Sequence, residues 1–394
     1  MKKRWLDILL ASVSYILVAA AASAVTFCVC AGGFGEPAAG VSKLQELEQL
    51  IHENFIGEVD QTAIEDGAAI GMIDALGDPW SYYISAAEYD AYMEQMNNAY
   101  VGIGVTITVR EDEQGFDVRL VEPGGPALEA GVLPGDIIVA VEGEDAFAMG
   151  TNGARDKIRG EEGTEVTITV RRDGKDMDIT ITRRSIQVQV AAGQMLEGNI
   201  GYVAINNFDS RCAEETIAAV EQLTQQGAVA LIFDVRNNPG GYKTELVKVL
   251  DHLLPEGPLF RSLFYDGEET VDSSDANCVE LPMAVLINGD SYSAAEFFAA
   301  ALEEYDWAVT VGQATTGKGY FQNTFKLSDG SAAALSMGKY FTPNGISLAE
   351  VGGLVPNVPV EVDEETAALI YSDLLEPEKD PQIQAAIAAI QKGN

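Results

Sequence analysis

Met283-Ala284-Val285-Leu286-Ile287-Asn288-Gly289-Asp290-Ser291-Tyr292-Ser293-Ala294-Ala295-Glu296 passes from a short, unbroken apolar run into an alanine-rich segment that continues to Tyr305. The first part has the length and composition of a fully buried strand, and the second those of a helix. Ser293 therefore falls at a strand-to-helix turn, where unpaired N–H groups and the positive end of the helix dipole favour developing negative charge. A second short strand, Ala308-Val309-Thr310-Val311, leads into Thr315-Thr316-Gly317-Lys318-Gly319-Tyr320-Phe321-Gln322. Glycine on both sides of Lys318 lets the backbone bring its amine close to another turn. Ser293-Ala294-Ala295-Glu296 also spells a capping box. The two meanings differ in size: a lost cap costs about 1 kcal/mol of stability, whereas a lost nucleophile removes turnover by orders of magnitude.

A serine nucleophile needs a base, and the chain has only His52 and His252. Both fall in helical patterns away from the serine turn, and two histidines build no metal cluster. Lysine is the remaining candidate. At its ordinary pKa of about 10.4, roughly one amine in a few thousand is neutral at pH 7, so a basic Lys318 must be desolvated. Gln322, four residues on, is placed to orient that amine without adding charge.

The order strand, Ser-x-Ser-Ala-x-Glu, helix, strand, Thr-x-Gly-Lys-Gly-x-x-Gln resembles the carboxyl-terminal processing (tail-specific) serine peptidases, over nearly everything from Lys43 onward. The resemblance implies Ser293 as nucleophile, Lys318 as general base and Gln322 as its support. Asp234-Val235-Arg236-Asn237-Asn238-Pro239-Gly240-Gly241 is similar to the family's Asp-Leu-Arg-Asn-Asn-Pro-Gly-Gly, which implies that Gly240 and Ala294 hold the oxyanion. Gly71 to Ser81 resembles the family's amino-terminal block and reads as structural, with Trp80 in a core or an interface. The usual serine motif is Ser-Ala-Ser-Ala-Ser-Glu; Tyr292 and Ala295 depart from it and bear on substrate fit. Asn357 stands where the family usually has aspartate.

A second series, Tyr100-Val101-Gly102-Ile103-Gly104-Val105, Pro123-Gly124-Gly125-Pro126-Ala127, Ala130-Gly131-Val132, Gly135-Asp136-Ile137-Ile138 and Val141-Glu142-Gly143, looks like a PDZ domain. Such a loop exposes N–H groups to a peptide's terminal carboxylate while the adjoining strand edge pairs with its backbone. Gly102, Ile103, Gly104 and Val105 are the residues expected to receive that carboxylate. No third glycine and no phosphate-cradling helix follow at once, so a dinucleotide fingerprint is rejected.

Composition sets the remaining bounds. The 394 residues carry 24 Lys+Arg against 61 Asp+Glu, a formal charge of −37, which disfavours nucleic acid and anionic lipid as partners. Lys2-Lys3-Arg4 precedes an apolar run from Ile8 to about Ala31, long enough for a transmembrane helix with its basic flank in the cytoplasm. Ala22-Ser23-Ala24 resembles a signal-peptidase site, but cleavage there leaves an apolar stub, and an uncleaved anchor is the preferred reading. The cysteines at 28, 30, 212 and 278 form no CxxC and no zinc spacing, and Cys212 and Cys278 are expected to stay free.

The expected organisation is a cytoplasmic flank, anchor and linker (1–40), a helical region (41–99), a PDZ domain (100–187), a catalytic domain (188–366) and a closing helical segment (367–394). The expected fold is an α/β catalytic core, by resemblance a crotonase/ClpP-like parallel sheet with helices, plus an inserted α+β PDZ domain. The expected activity is that of a single-pass, cell-membrane serine endopeptidase with its catalytic part outside the cytoplasm. It would act on proteins with free carboxyl termini, require no cofactor or metal, and by resemblance form a homodimer. An inactive PDZ scaffold and a non-peptidase acyl hydrolase are the competing readings.

Overall fold

The computed structural model describes residues 39–110, 115–372 and 374–393. The expected anchor and its basic flank, with Cys28 and Cys30, lie outside these residues. Among the described residues no helix is long and apolar enough to cross a membrane. The described residues divide into two compact units, one ending at Met72 and the other beginning at Ile73, and the division falls inside the segment 41–99 that the sequence reads as one helical region.

In the first unit the helix Ala39–Asn54 is followed by the start of the helix Gln61–Asp74. The Gln61 side chain ties the two together, bonding to Glu48 at 2.5 Å and lying 2.7 Å from the His52 ring.

The second unit is built on a six-stranded sheet in the order Ala191–Leu196, Ile200–Ile205, Ala230–Asp234, Met283–Ile287, Ala308–Gly312 and Val358–Pro359. The first pair is antiparallel and every later pair is parallel. Met283–Ile287 and Ala230–Asp234 are buried at every position because helices cover both faces of the sheet. On one face Phe233, Val285 and Ile287 pack with Leu246 and Leu250 of the helix Lys243–Leu253 and with Phe297 and Phe298 of the helix Ala294–Glu304. On the other, Ile232, Ala284 and Leu286 meet Ile383, Ala386 and Ile390 of the helix Pro381–Gly393. Turns at the carboxyl ends of parallel strands are where ligands bind in such sheets, and both Gly240 and Ser293 sit on such turns.

A separate antiparallel sheet stands against this core, formed by Tyr82–Ile84, Ala332–Phe341, Gly257–Phe264 and Glu269–Ser274, with Tyr320–Lys326 also pairing to Ala332–Phe341. The pairing of Tyr82 with Ala334 goes with a placement of Trp80 beside Tyr292 and Lys318, in the serine and lysine turns. The PDZ segment forms another sheet, with its main path Val105–Val109, Phe116–Val121, Ile137–Val141, Glu165–Arg172 and Lys175–Thr182, around a core that includes Ile103, Phe116, Ile138, Ile168 and Ile181. Cys212 and Cys278 are both free thiols, and burial pushes Cys212 up to about 12.

Candidate active site

Ser293 stands immediately before the helix Ala294–Glu304 with φ 57 and ψ −125, a backbone conformation that costs an L-residue about 1–3 kcal/mol and collects at functional turns. Hydrogen bonds on one side and a close backbone approach on the other hold it there. Glu296 accepts the Ser293 N–H at 2.9 Å, Phe297 N–H returns to the Ser293 carbonyl at 3.2 Å, and Gly240 lies against the other side. Gly240 has φ +92, and a Cβ on it would stand 2.7 Å from Ser293 Cβ and 2.9 Å from Ala294 N. No residue but glycine lets these two turns touch.

Ser293, Ala294, Gly240, Lys318 and Gln322 all line one cleft of ≈ 960 Å³. Burial brings the Lys318 amine down to about 8, against the opposing charges of Asp78 and Glu296. At that value about one amine in ten is neutral at pH 7. The Lys318 nitrogen lies 4.8 Å from the centre of the Trp80 ring and, among the described residues, makes no hydrogen bond or ion pair. Burial works to raise Asp78 beside it, but hydrogen bonds from Ser336, Ser81 and the Trp80 N–H, together with the Lys318 charge, hold that carboxyl low.

The expected residues are together, yet their hydrogen bonds are not those of a working dyad. The Ser293 hydroxyl is paired at 2.8 Å with the hydroxyl of Tyr340. Gln322 donates to Ser336 Oγ at 3.0 Å and to the Tyr320 carbonyl at 3.2 Å, so it does not hold the Lys318 amine in this arrangement. Gly240 N–H donates to Asn238 Oδ1 at 2.8 Å, and Asn238 is itself fixed by its amide bond to the Ile205 carbonyl at 2.7 Å. The Asn238 side chain folds back on its own turn, as asparagine does in tight loops, and takes the N–H that an oxyanion would need. Ala294 N–H, in the first turn of its helix, donates to no group among the described residues, as the leading amides of a helix do when no cap reaches them.

The family-model match to "Peptidase family S41" covers residues 199–360, with a PDZ domain matched at 118–172 and the "Activating protease CtpB N-terminal domain" at 31–88. The carboxy-terminal processing protease CtpA of Bacillus subtilis is 31% identical over 336 residues, 84% of this chain and 71% of that protein. The chain belongs to the carboxyl-terminal processing serine protease family. A CtpA-like serine protease of Staphylococcus aureus (strain MSSA476) is 30% identical over 82% of this chain and 65% of its own length. A solved S41 protease from Bacteroides fragilis superposes with a TM-score of 0.51 at 16% identity, covering 77% of this chain and 90% of that one, which speaks for the fold alone.

Within this family fold, Ile103 and Gly104 link the strand Ala99–Gly102, which pairs with Arg184–Gln187, to the strand Val105–Val109, so that Gly102 and Val105 are the adjoining strand ends. Ile103 and Gly104 accept through their carbonyls, from Ala127 N–H and Glu122 N–H at 2.9 Å each, while their own N–H groups have no partner among the described residues. Val105–Val109 lies at the end of its sheet's main path, paired with Phe116–Val121, which leaves its other edge open for strand addition.

Several neighbours of the site escaped the sequence reading. Glu296, legible only as half a cap, is a buried hub that also accepts Thr315 Oγ1 at 2.5 Å, Gly317 N–H at 2.6 Å and Lys318 N–H at 2.9 Å. It thereby locks the lysine turn to the serine turn. Tyr340 and Trp80 carry no local motif for their roles, and Trp80, read as core or interface, covers the Lys318 amine. His252 lines a separate cavity with Glu245 and Asp251.

Proposed function

We propose that this chain is a membrane-anchored, extracytoplasmic serine endopeptidase that selects proteins by their free carboxyl termini and cleaves them through Ser293 and Lys318. The observation that carries the reading is a serine held in a left-handed turn at a helix start, in one cleft with a lysine whose amine burial brings down to about 8. Neutral Lys318 takes the Ser293 proton as Oγ attacks the scissile carbonyl. The ester forms, the C–N bond breaks, and the leaving amine receives that proton; water then releases the acyl group by the reverse transfers. Ala294 N–H stabilises the oxyanion, and Gly240 N–H joins it once Asn238 releases that donor, each worth about 3–4 kcal/mol in the transition state. Gln322 steadies the amine after leaving Ser336. The PDZ loop Gly102–Val105 takes the substrate carboxylate, and residues 8–31 provide the anchor. The processing of carboxyl termini named for the Bacillus subtilis relative supports this substrate class, and the family resemblance supports a homodimer.

The test is incubation of the protein with an unfolded substrate bearing a free or an amidated carboxyl terminus, with products mapped by mass. Cleavage that amidation slows, and that Ser293→Ala abolishes, is the expected result. No products from the unaltered protein leaves a PDZ scaffold, and cleavage indifferent to amidation removes the PDZ loop from substrate choice.

A further inference from the structure

The strand Ile200–Ile205 runs into Asn206-Asn207-Phe208-Asp209, and Phe208 bridges in parallel to Gly241 of the oxyanion turn. The approach is so close that a Cβ on Gly241 would lie 2.6 Å from Asp209 N. Asp209 therefore sits directly behind that turn and lines the cleft that holds Ser293 and Lys318. It is only 5% exposed, and its Oδ1 is buried with no hydrogen-bond partner among the described residues. Burial pushes its carboxyl up to about 7. An ionisable group so placed destabilises a fold unless something supplies the missing partner.

The described residues do not supply it. The nearby cations are already engaged, Arg211 with Glu215 at 3.1 Å and Lys243 with Asp272 at 2.9 Å. Tyr82, Tyr89, Tyr92 and Tyr242 line the same cleft. Asp209 is close enough that its charge adds to burial in raising the Tyr242 phenol, and to burial and Tyr92 in raising that of Tyr82.

We propose that Asp209 is a specificity-determining residue that receives the ammonium or guanidinium group of a lysine or arginine side chain of the substrate lying across the cleft. The proposal rests on the peptidase reading and deepens it. A long basic side chain suits both parts of the site, since its aliphatic stem lies on tyrosine faces while its head reaches a carboxylate. A neutral or acidic side chain leaves Asp209 unpaired. The formal charge of −37 favours cationic segments before contact is made.

The test is equilibrium binding to the full-length Ser293→Ala protein, which binds without turnover. The probes are short, unstructured, carboxyl-amidated peptides with one lysine moved stepwise along a neutral sequence, each compared with norleucine at the same place. One lysine register is expected to bind about tenfold or more tightly than norleucine, the scale of a desolvated charge pair. That advantage should vanish when Asp209→Asn is added and return in part with Asp209→Glu. Asp209→Asn should melt no lower than its parent, because it removes an unpaired buried charge. The proposal is overturned if no register shows an advantage or if the advantage survives Asp209→Asn. Equal weakening of both peptides in a folded Asp209→Asn also overturns it, and makes Asp209 an acceptor for substrate backbone N–H. Because nothing is cleaved in this assay, failure of the unaltered protein to cut any substrate sinks the peptidase reading separately.

Discussion

Ser293 and Tyr340 face each other hydroxyl to hydroxyl at 2.8 Å, while the Lys318 amine lies over Trp80. Burial pushes the Tyr340 phenol well above its ordinary value, so it stays neutral and, in the proposed mechanism, would compete with Lys318 for the Ser293 hydroxyl. The Tyr340 ring is wedged among Phe260, Phe297 and Phe321, with the Phe297 ring centre 4.5 Å away, so Tyr340→Phe keeps the packing and removes only the oxygen. Loss of a competing hydrogen bond of about 1 kcal/mol should speed phosphonylation of Ser293 by an active-site fluorophosphonate, with loss of fluoride, about fivefold. Slower labelling would mean that the phenol orients the serine for attack.

The rate should rise with pH through the lysine. With neutral Lys318 as base, kcat/KM is expected to climb with a midpoint near 8 and to stand at roughly a tenth of its plateau at pH 7. Two effects of Trp80 on the amine oppose each other: its ring attracts the charged form, while its bulk keeps water away. Burial wins in the intact protein, so Trp80→Ala should move the rising limb to higher pH. A limb near 10 in the unaltered protein would place Lys318 in water and remove it as base.

Glu296 accepts four hydrogen bonds from the serine and lysine turns. Burial raises its carboxyl, and the Thr315, Gly317, Lys318 and Ser293 donors oppose that rise. Glu296→Gln turns one acceptor oxygen into an amide that faces donors in a buried place. It should cost roughly 2–4 kcal/mol in urea unfolding and lower kcat far more than it changes KM. An unfolding curve that overlays the parent's would show the hub to be dispensable.

Gly240→Ala tests the contact between the two turns. The added methyl meets Ser293 Cβ and Ala294 N below 3 Å, and φ +92 strains any L-residue by about 1–2 kcal/mol. Turnover is expected to fall by about 100-fold or more, the scale of losing one oxyanion donor, with a modest loss of thermal stability. Retained turnover would show that the serine turn tolerates displacement.

Much of the fold was written locally. Met283–Ile287 reads as a buried strand because nothing polar interrupts it, and Ala294–Glu304 as a helix because alanines follow a capping serine; both form as read. The PDZ segment was equally legible, since its glycines sit where the chain must turn. The division at 72/73 inside the helical region was not legible, because helical periodicity marks a helix and not the partner against which it packs.

For the site, sequence determined which residues share a cleft: Gly240, Ser293 and Ala294 follow the ends of parallel strands, while Lys318 stands just before the antiparallel strand Tyr320–Lys326 that carries Gln322. It did not determine whom each one bonds. Tyr340 reaches Ser293 from a strand forty-seven positions on, Trp80 reaches Lys318 through the register of Tyr82 with Ala334, and Asp209, next to the bridge between Phe208 and Gly241, lines the cleft with an unpartnered Oδ1 among the described residues. Strand and turn propensities act over a few neighbouring residues, whereas hydrogen-bond partners and buried charges depend on which distant side chains folding brings within about 3 Å of each other.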